Sequence, residues 1–174
     1  MRRRPLTRYF LTFALLLIAM SLSGCGESAP SVRDRIVGTW GYALKYEPDQ
    51  STVFDASGTQ TYAADDSLHG TAEATLTLID AEEQRVLRFN LVYRGTWQVQ
   101  AEGTELGEVI EDQEWLPMDE RTREILKQDP ELARSFTDNE PETSTSKILL
   151  LTDSVMELED KEDPDFRVLH ERKG

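Results

Sequence analysis

Cysteine and histidine are almost absent from this chain of 174 residues, which contains one cysteine and two histidines. A single cysteine cannot form an intramolecular disulfide, so burial of apolar groups has to stabilise the fold. The sequence also contains no CxxC, HExxH, P-loop or GxSxG motif. We therefore expect no catalytic residue, no cofactor and no metal site, and we do not expect an enzyme.

Basic residues are also scarce, since 19 Lys and Arg stand against 33 Asp and Glu, a formal net charge of −14. The first 24 residues contain four of the arginines and no acidic residue, so without them 15 basic residues face 33 acidic ones and the charge becomes −18. A surface this acidic repels nucleic acid and anionic lipid headgroups. We expect neither a nucleic-acid partner nor a polybasic membrane contact.

Only one long apolar run is present, at residues 9–20, behind the basic stretch that contains Arg2 and Arg8. It is shorter than the roughly 20 residues that span a bilayer, and it has the length of a signal-peptide h-region. The sequence Leu22-Ser23-Gly24-Cys25 follows it. The basic stretch, the apolar run and this tetrapeptide, in that order, resemble the signal peptide and lipobox of bacterial lipoproteins. The alternative is an ordinary cleaved signal peptide with a free thiol.

The resemblance implies cleavage between Gly24 and Cys25, and fatty acyl chains, such as palmitate, on Cys25. Residues 1–24 would then be the signal peptide, 25–32 a lipidated tether and 33–174 the folded domain. Two or three acyl chains hold a protein firmly on a membrane, so Cys25 would be the membrane contact. Gly26, rather than Asp, resembles an outer-membrane sorting signal. We expect an envelope protein at the periplasmic face of the outer membrane rather than at the inner membrane.

Large residues alternate with small or polar ones along most of the folded domain, which predicts half-buried strands. A short helical turn at 32–37, capped by Ser31, precedes them. In the segment 87–100 the apolar residues occupy odd positions, and Gly95 predicts a kink or bulge. Residues 52–55 and 59–64 are predicted strands, with a hairpin turn at 56–58. Further strands are predicted at 40–46, 71–78, 104–110, 148–151, 155–159 and 166–170.

Residues 114–145 have a different pattern. The spacing of residues 119–127 predicts a helix, and Asp129-Pro130 begins a second one that continues to Phe136. The segment 137–146 is rich in acidic residues, Pro, Ser and Thr and is predicted to be a mobile loop. The fold class is therefore mainly β: an antiparallel up-and-down barrel with a short N-terminal helical turn and a helical insertion near 116–136. A sandwich is the alternative.

Two Gly-Thr-Trp sequences, Gly38-Thr39-Trp40 and Gly95-Thr96-Trp97, occur in this domain together with Leu151-Thr152-Asp153. The first follows a short helical turn and opens the first strand. This order resembles small bacterial lipoproteins with a lipocalin-like domain. The resemblance implies a lipocalin-like barrel in which the first tryptophan closes one end.

Six aromatic residues on the inward strand faces are the candidate ligand-binding residues: Trp40, Tyr42, Tyr46, Phe89, Tyr93 and Trp97. They either fill a small barrel as plain core or line a pocket. The three tyrosines are the better pocket candidates because each has a polar tip. His170 is expected at the barrel mouth or core edge and His69 in solvent. The acidic run 157–165 is expected to be a solvated hairpin rather than a Ca²⁺ site.

Two functions remain open at this point. The first is a non-enzymatic carrier or sensor that holds a small apolar or amphipathic molecule in the barrel. The alternative is an interaction or assembly module that docks to an envelope protein through its acidic surface and the 114–145 insert. In both, the membrane is contacted through lipid on Cys25.

Overall fold

The computed structural model describes residues 29–79, 83–137 and 140–174. The predicted signal peptide, the cleavage site at Gly24 and the lipidation site at Cys25 lie outside these residues. The elements in chain order are α1 Val32–Ile36, β1 Gly38–Asp49, β2 Thr52–Tyr62, β3 Ser67–Ile79, β4 Gln84–Gln100, a 3-10 turn Ala101–Gly103, β5 Glu105–Pro117, α2 Glu120–Gln128, α3 Pro130–Ser135, β6 Glu142–Leu151, β7 Val155–Asp160 and β8 Arg167–Arg172.

Each strand pairs antiparallel with the next one, and β8 pairs with β1, so eight strands form a closed barrel. This confirms the predicted fold class and excludes the sandwich. The strands β1–β5 have 11 to 17 residues, whereas β6 has 10 and β7 and β8 have 6 each. The barrel wall is therefore lower on the side of β6–β8. All of these pairings lie within residues 29–174.

One end of the barrel is closed by α1. Ser31 caps this helix in a capping box with Asp34, and Ile36, its last residue, is fully buried. The Trp40 side chain is also fully buried, donates from Nε1 to the Ile36 carbonyl at 2.7 Å, and has the Arg172 guanidinium 4.3 Å above its ring. The core cluster at this end contains Ile36, Trp40, Tyr62, Leu68, Trp97, Leu106, Met156 and Leu158.

Strand β4 follows the predicted alternation. Leu87, Phe89, Tyr93 and Trp97 are buried. The predicted irregularity at Gly95 is also confirmed, because β5 slips by one residue relative to β4 between Arg94 and Gly95. A Cβ atom on Gly95 would lie 1.8 Å from the Val109 carbonyl oxygen, so this close approach requires glycine.

Two local predictions are wrong. No turn exists at 56–58, because β2 continues through these residues and the chain reverses between Asp49 and Thr52. Gly58 does not supply a positive φ; it allows β3 to approach, since a Cβ there would lie 2.0 Å from the Thr71 carbonyl oxygen. The segment 137–146 is also not a loop throughout, because β6 begins at Glu142 and pairs with β5.

The helical insertion is confirmed and lies at the open end of the barrel, between β5 and β6. The fully buried Thr122 hydroxyl accepts a hydrogen bond from the Arg88 amide at 3.0 Å, which fixes α2 to the start of β4. Asp129 caps α3 and pairs with Arg85 at 3.1 Å. The insertion is thus attached to the barrel by several contacts. Within the described residues, no helix is long and apolar enough to cross a membrane.

Candidate ligand-binding cavity

A cavity of about 500 Å³ lies inside the barrel, above the core cluster of the closed end. This volume falls in the range of small-molecule sites. The cavity opens beside the short strands, where the lining residues Glu142 and Ser144 are exposed. Its apolar wall includes Leu44, Phe54, Ala56, Leu91, Ile110, Leu158 and Val168, and its polar wall includes Tyr42, Gln60, Tyr93, Glu108, Ser146 and His170.

The structure separates the six aromatic candidates. Tyr42 and Tyr93 line the cavity. Trp40 and Trp97 belong to the core cluster of the closed end. Phe89 is fully buried at the open end, where its ring packs against Trp115 and Phe136, and Tyr46 packs edge-on against Phe166 with ring centroids 5.0 Å apart. Only Tyr42 and Tyr93 of the six therefore lie on the cavity wall.

A rim of aromatic rings surrounds one side of the mouth. Trp115 contacts Phe54, Phe89 and Phe136 at centroid distances of 6.1, 5.4 and 5.4 Å. Phe136 follows α3, so the insertion contributes directly to this rim. Such edge-on contacts add about 0.5–1.5 kcal/mol per pair beyond area burial. The rim holds the insertion against the barrel and gives the cavity an apolar entrance on the β4–β5 side.

Hydrogen bonds join the polar residues into one network, which we call the tyrosine–glutamate cluster: Tyr42, Gln60, Tyr62, Tyr93 and Glu108. The Tyr93 hydroxyl lies 3.1 Å from the Tyr42 hydroxyl and 2.9 Å from Gln60 Oε1. The Gln60 amide donates to the Tyr62 hydroxyl at 2.8 Å and to Glu108 Oε1. Tyr62 donates to the same Glu108 oxygen at 2.9 Å. Two donors of this network, the Gln60 amide and the Tyr62 hydroxyl, therefore converge on one carboxylate oxygen of Glu108.

Burial governs the protonation of the cluster. It raises the pKa of Glu108, although hydrogen bonds from Tyr62 and Gln60 oppose this rise. Burial also raises the pKa of Tyr42, Tyr62 and Tyr93, and the negative charge of Glu108 adds to each of these shifts. The three phenols therefore stay protonated at neutral pH and remain hydrogen-bond donors.

His170 faces the cavity from β8, opposite Tyr42 in register and 5.8 Å from its ring. Only 5% of the residue is exposed, and burial lowers its pKa to about 4, so the ring is neutral at pH 7. Its Nδ1 atom is buried and has no hydrogen-bond partner in the described residues. The predicted place at the core edge is confirmed. His69 lies within β3 and is exposed, as predicted.

Gln60 and Glu108 are the site residues that the sequence did not reveal. Both occupy inward positions of their strands: Gln60 shares the inward face of β2 with Ala56 and Tyr62, and Glu108 shares that of β5 with Leu106 and Ile110. The sequence did offer one signal for them, which is a polar residue at an inward position of an otherwise apolar strand face. In so acidic a sequence, Glu108 resembles its outward neighbours.

No group of three His, Cys, Asp or Glu side chains is placed to hold a metal ion in the described part of the chain. No protein-family model and no curated protein sequence matches the chain. The class that fold and cavity define is a closed eight-stranded antiparallel barrel with an internal, partly polar cavity that opens at one end.

Proposed function

We propose that this barrel is a non-enzymatic binding domain that holds a small apolar or amphipathic molecule in its cavity. The observation that carries this proposal is the cavity of about 500 Å³ inside a closed barrel. Its wall combines aliphatic and aromatic side chains with a few convergent polar groups, as ligand sites in proteins commonly do. The unpartnered Nδ1 of His170 further supports a ligand that reaches the polar wall.

We also propose that the domain belongs to a lipid-anchored envelope protein at the periplasmic face of the outer membrane. The lipobox-like sequence that ends at Cys25 supports this proposal. The chain then enters the barrel through α1, at the closed end. An anchor at Cys25 would attach near the closed end, and the mouth would open at the opposite end of the barrel, accessible to soluble ligands.

Native mass spectrometry of residues 29–174, purified from bacterial cells, tests the binding function. The expected result is a protein with a co-purified small molecule that is lost when the cavity is filled. Ala56→Phe fills it, because Ala56 is buried on the cavity wall. Ala43→Phe is the matched control, because Ala43 is exposed on the neighbouring strand β1. A bound molecule that survives Ala56→Phe but not Ala43→Phe would contradict a site in the cavity.

The anchor is tested on the full chain by Cys25→Ser and membrane fractionation. The expected result is the loss of acyl label and release from the membrane fraction. The folded domain should keep its thermal unfolding temperature, because all eight strands lie beyond residue 37. Retention of the variant in the membrane would contradict the lipoprotein proposal. The predicted role in protein assembly and the predicted absence of enzymatic activity stay predictions.

A further inference from the structure

The cavity wall has polar side-chain atoms without a hydrogen-bond partner among the described residues. Both donors that reach the Glu108 carboxylate bind its Oε1 atom, which leaves Oε2 without a described donor. His170 Nδ1 is buried without a partner on the β8 side. A neutral imidazole has one acceptor nitrogen, and a carboxylate only accepts. Buried polar atoms are normally paired, so the unpartnered His170 Nδ1 indicates a bound polar group, and Oε2 of the part-buried Glu108 can accept a hydrogen bond from that group.

Positive charge is missing from the same wall. No Lys or Arg is among the described residues that line the cavity, whereas Glu108, Glu142 and Asp160 are. None of the ion pairs in the described part of the chain includes Glu108. A part-buried carboxylate without a cation is costly, because its charge has lost part of the solvation of water. A cationic group on the ligand would replace the missing counterion.

The mouth has the same electrostatic character. The segment 160–165, which begins at the last residue of β7 and leads to β8, contains four acidic side chains and one lysine, and that lysine pairs with Glu105 at 3.0 Å. Asp160, at the start of this segment, and Phe166, directly after it, line the cavity. An acidic rim attracts cations and repels anions, which raises the rate at which cationic ligands enter.

We infer that the ligand of this cavity is a cationic amphiphile, such as a primary amine with an apolar body, whose amino group binds Glu108 Oε2 while the body packs against the aliphatic and aromatic wall. An ammonium group has three donors and no acceptor, so it can bind the Glu108 oxygen that the described donors leave open. The apolar body would contact Leu44, Leu91 and Ile110. This inference rests on the proposed binding function and adds the chemical class of the ligand.

The test compares three probes that share a twelve-carbon chain and differ only at the polar end: dodecylamine, dodecanol and dodecanoate. Each is titrated into residues 29–174 by calorimetry at pH 7, with the amine and the carboxylate kept below their critical micelle concentrations and dodecanol below its solubility limit. Thermal unfolding first verifies that the protein is folded. We expect dodecylamine to bind at least about tenfold more tightly than dodecanol, because a charge-assisted hydrogen bond is added, and dodecanoate to bind most weakly.

Two variants locate the amino group. Glu108→Gln keeps the acceptor for Tyr62 and Gln60 but removes the charge. We therefore expect this variant to bind dodecylamine no more tightly than dodecanol. Glu142→Gln is the matched control at the exposed mouth and should change either affinity less than about threefold, because exposed charges are screened.

The outcomes separate the inference from the function beneath it. Equal binding of the three probes, or an amine preference that survives Glu108→Gln, would overturn the cationic ligand and leave the binding function standing. Failure of all three probes to bind would contradict both. If Glu108→Gln does not fold, the order of the three probes on the unaltered protein still decides the inference.

Discussion

Replacement of His170 by Met should remove a specific pH dependence from the stability of the barrel. His170 is 5% exposed in the folded state, and burial lowers its pKa from 6.5 to about 4. The unfolded chain therefore takes up the proton at higher pH than the folded chain. A lowered histidine pKa means stability that is fully present above about pH 6.5 and is lost as the pH falls toward about 4.

The size of the effect follows from the two pKa values. A fall from 6.5 to about 4 corresponds to about 3 kcal/mol, at ~1.36 kcal/mol for each tenfold change in proton affinity. Glu108 acts in the opposite direction, because a raised carboxyl pKa favours the folded state as the pH falls. Its contribution is present in both proteins, so the difference between them isolates His170.

Urea unfolding followed by tryptophan fluorescence, from pH 7 to pH 4, measures this difference. The unaltered protein should lose about 3 kcal/mol more of its unfolding free energy over this interval than the His170→Met variant. Two curves that run parallel across the interval would refute the argument, since they would show that the ring titrates alike in the folded and unfolded states.

Three further predictions concern the fold. Trp40→Ala should lower the free energy of chemical unfolding by about 3–5 kcal/mol, because a fully buried ring is removed from the closed end. A loss below about 1 kcal/mol would contradict the role of Trp40 in closing that end. Gly58→Ala should destabilise by about 1–3 kcal/mol because β3 approaches too closely, whereas the exposed neighbour Ser57→Ala should stay within about 0.5 kcal/mol. Thr122→Val should lower the unfolding free energy by about 1–3 kcal/mol and speed hydrogen exchange at the Arg88 amide. Thr122→Ser keeps the hydroxyl, so the stability and the slow exchange should both be retained.

Much of the barrel was predictable because its strands bury one face and expose the other. The alternation from Leu87 to Val99 is visible in the sequence and is the alternation that β4 has. Gly58 was misread as a turn residue because a glycine between two apolar segments also marks a hairpin. Position 58 requires glycine because β3 approaches β2 closely there. This approach depends on the register of β2 against β3, which the sequence of one segment does not reveal.

The cavity was less predictable than the barrel. Alternation identifies inward residues, but it does not tell which of them fill the closed end and which surround a space. Trp40 and Tyr42 are two positions apart on β1, yet one is in the core cluster and the other on the cavity wall. Glu108 is one of 33 acidic residues, and only the closure of the barrel places it inside.

Methyl NMR of residues 29–174 titrated with dodecylamine shows directly whether a ligand binds inside the barrel. Inward methyl groups, such as those of Ala56, Leu91 and Ile110, line the cavity, whereas Leu149 and Leu169 are exposed on the outer face, at 43% and 50%. We predict saturable shifts at the inward methyls and none at the outer ones. Shifts confined to the outer leucines, or none at all, would contradict a ligand site inside the barrel.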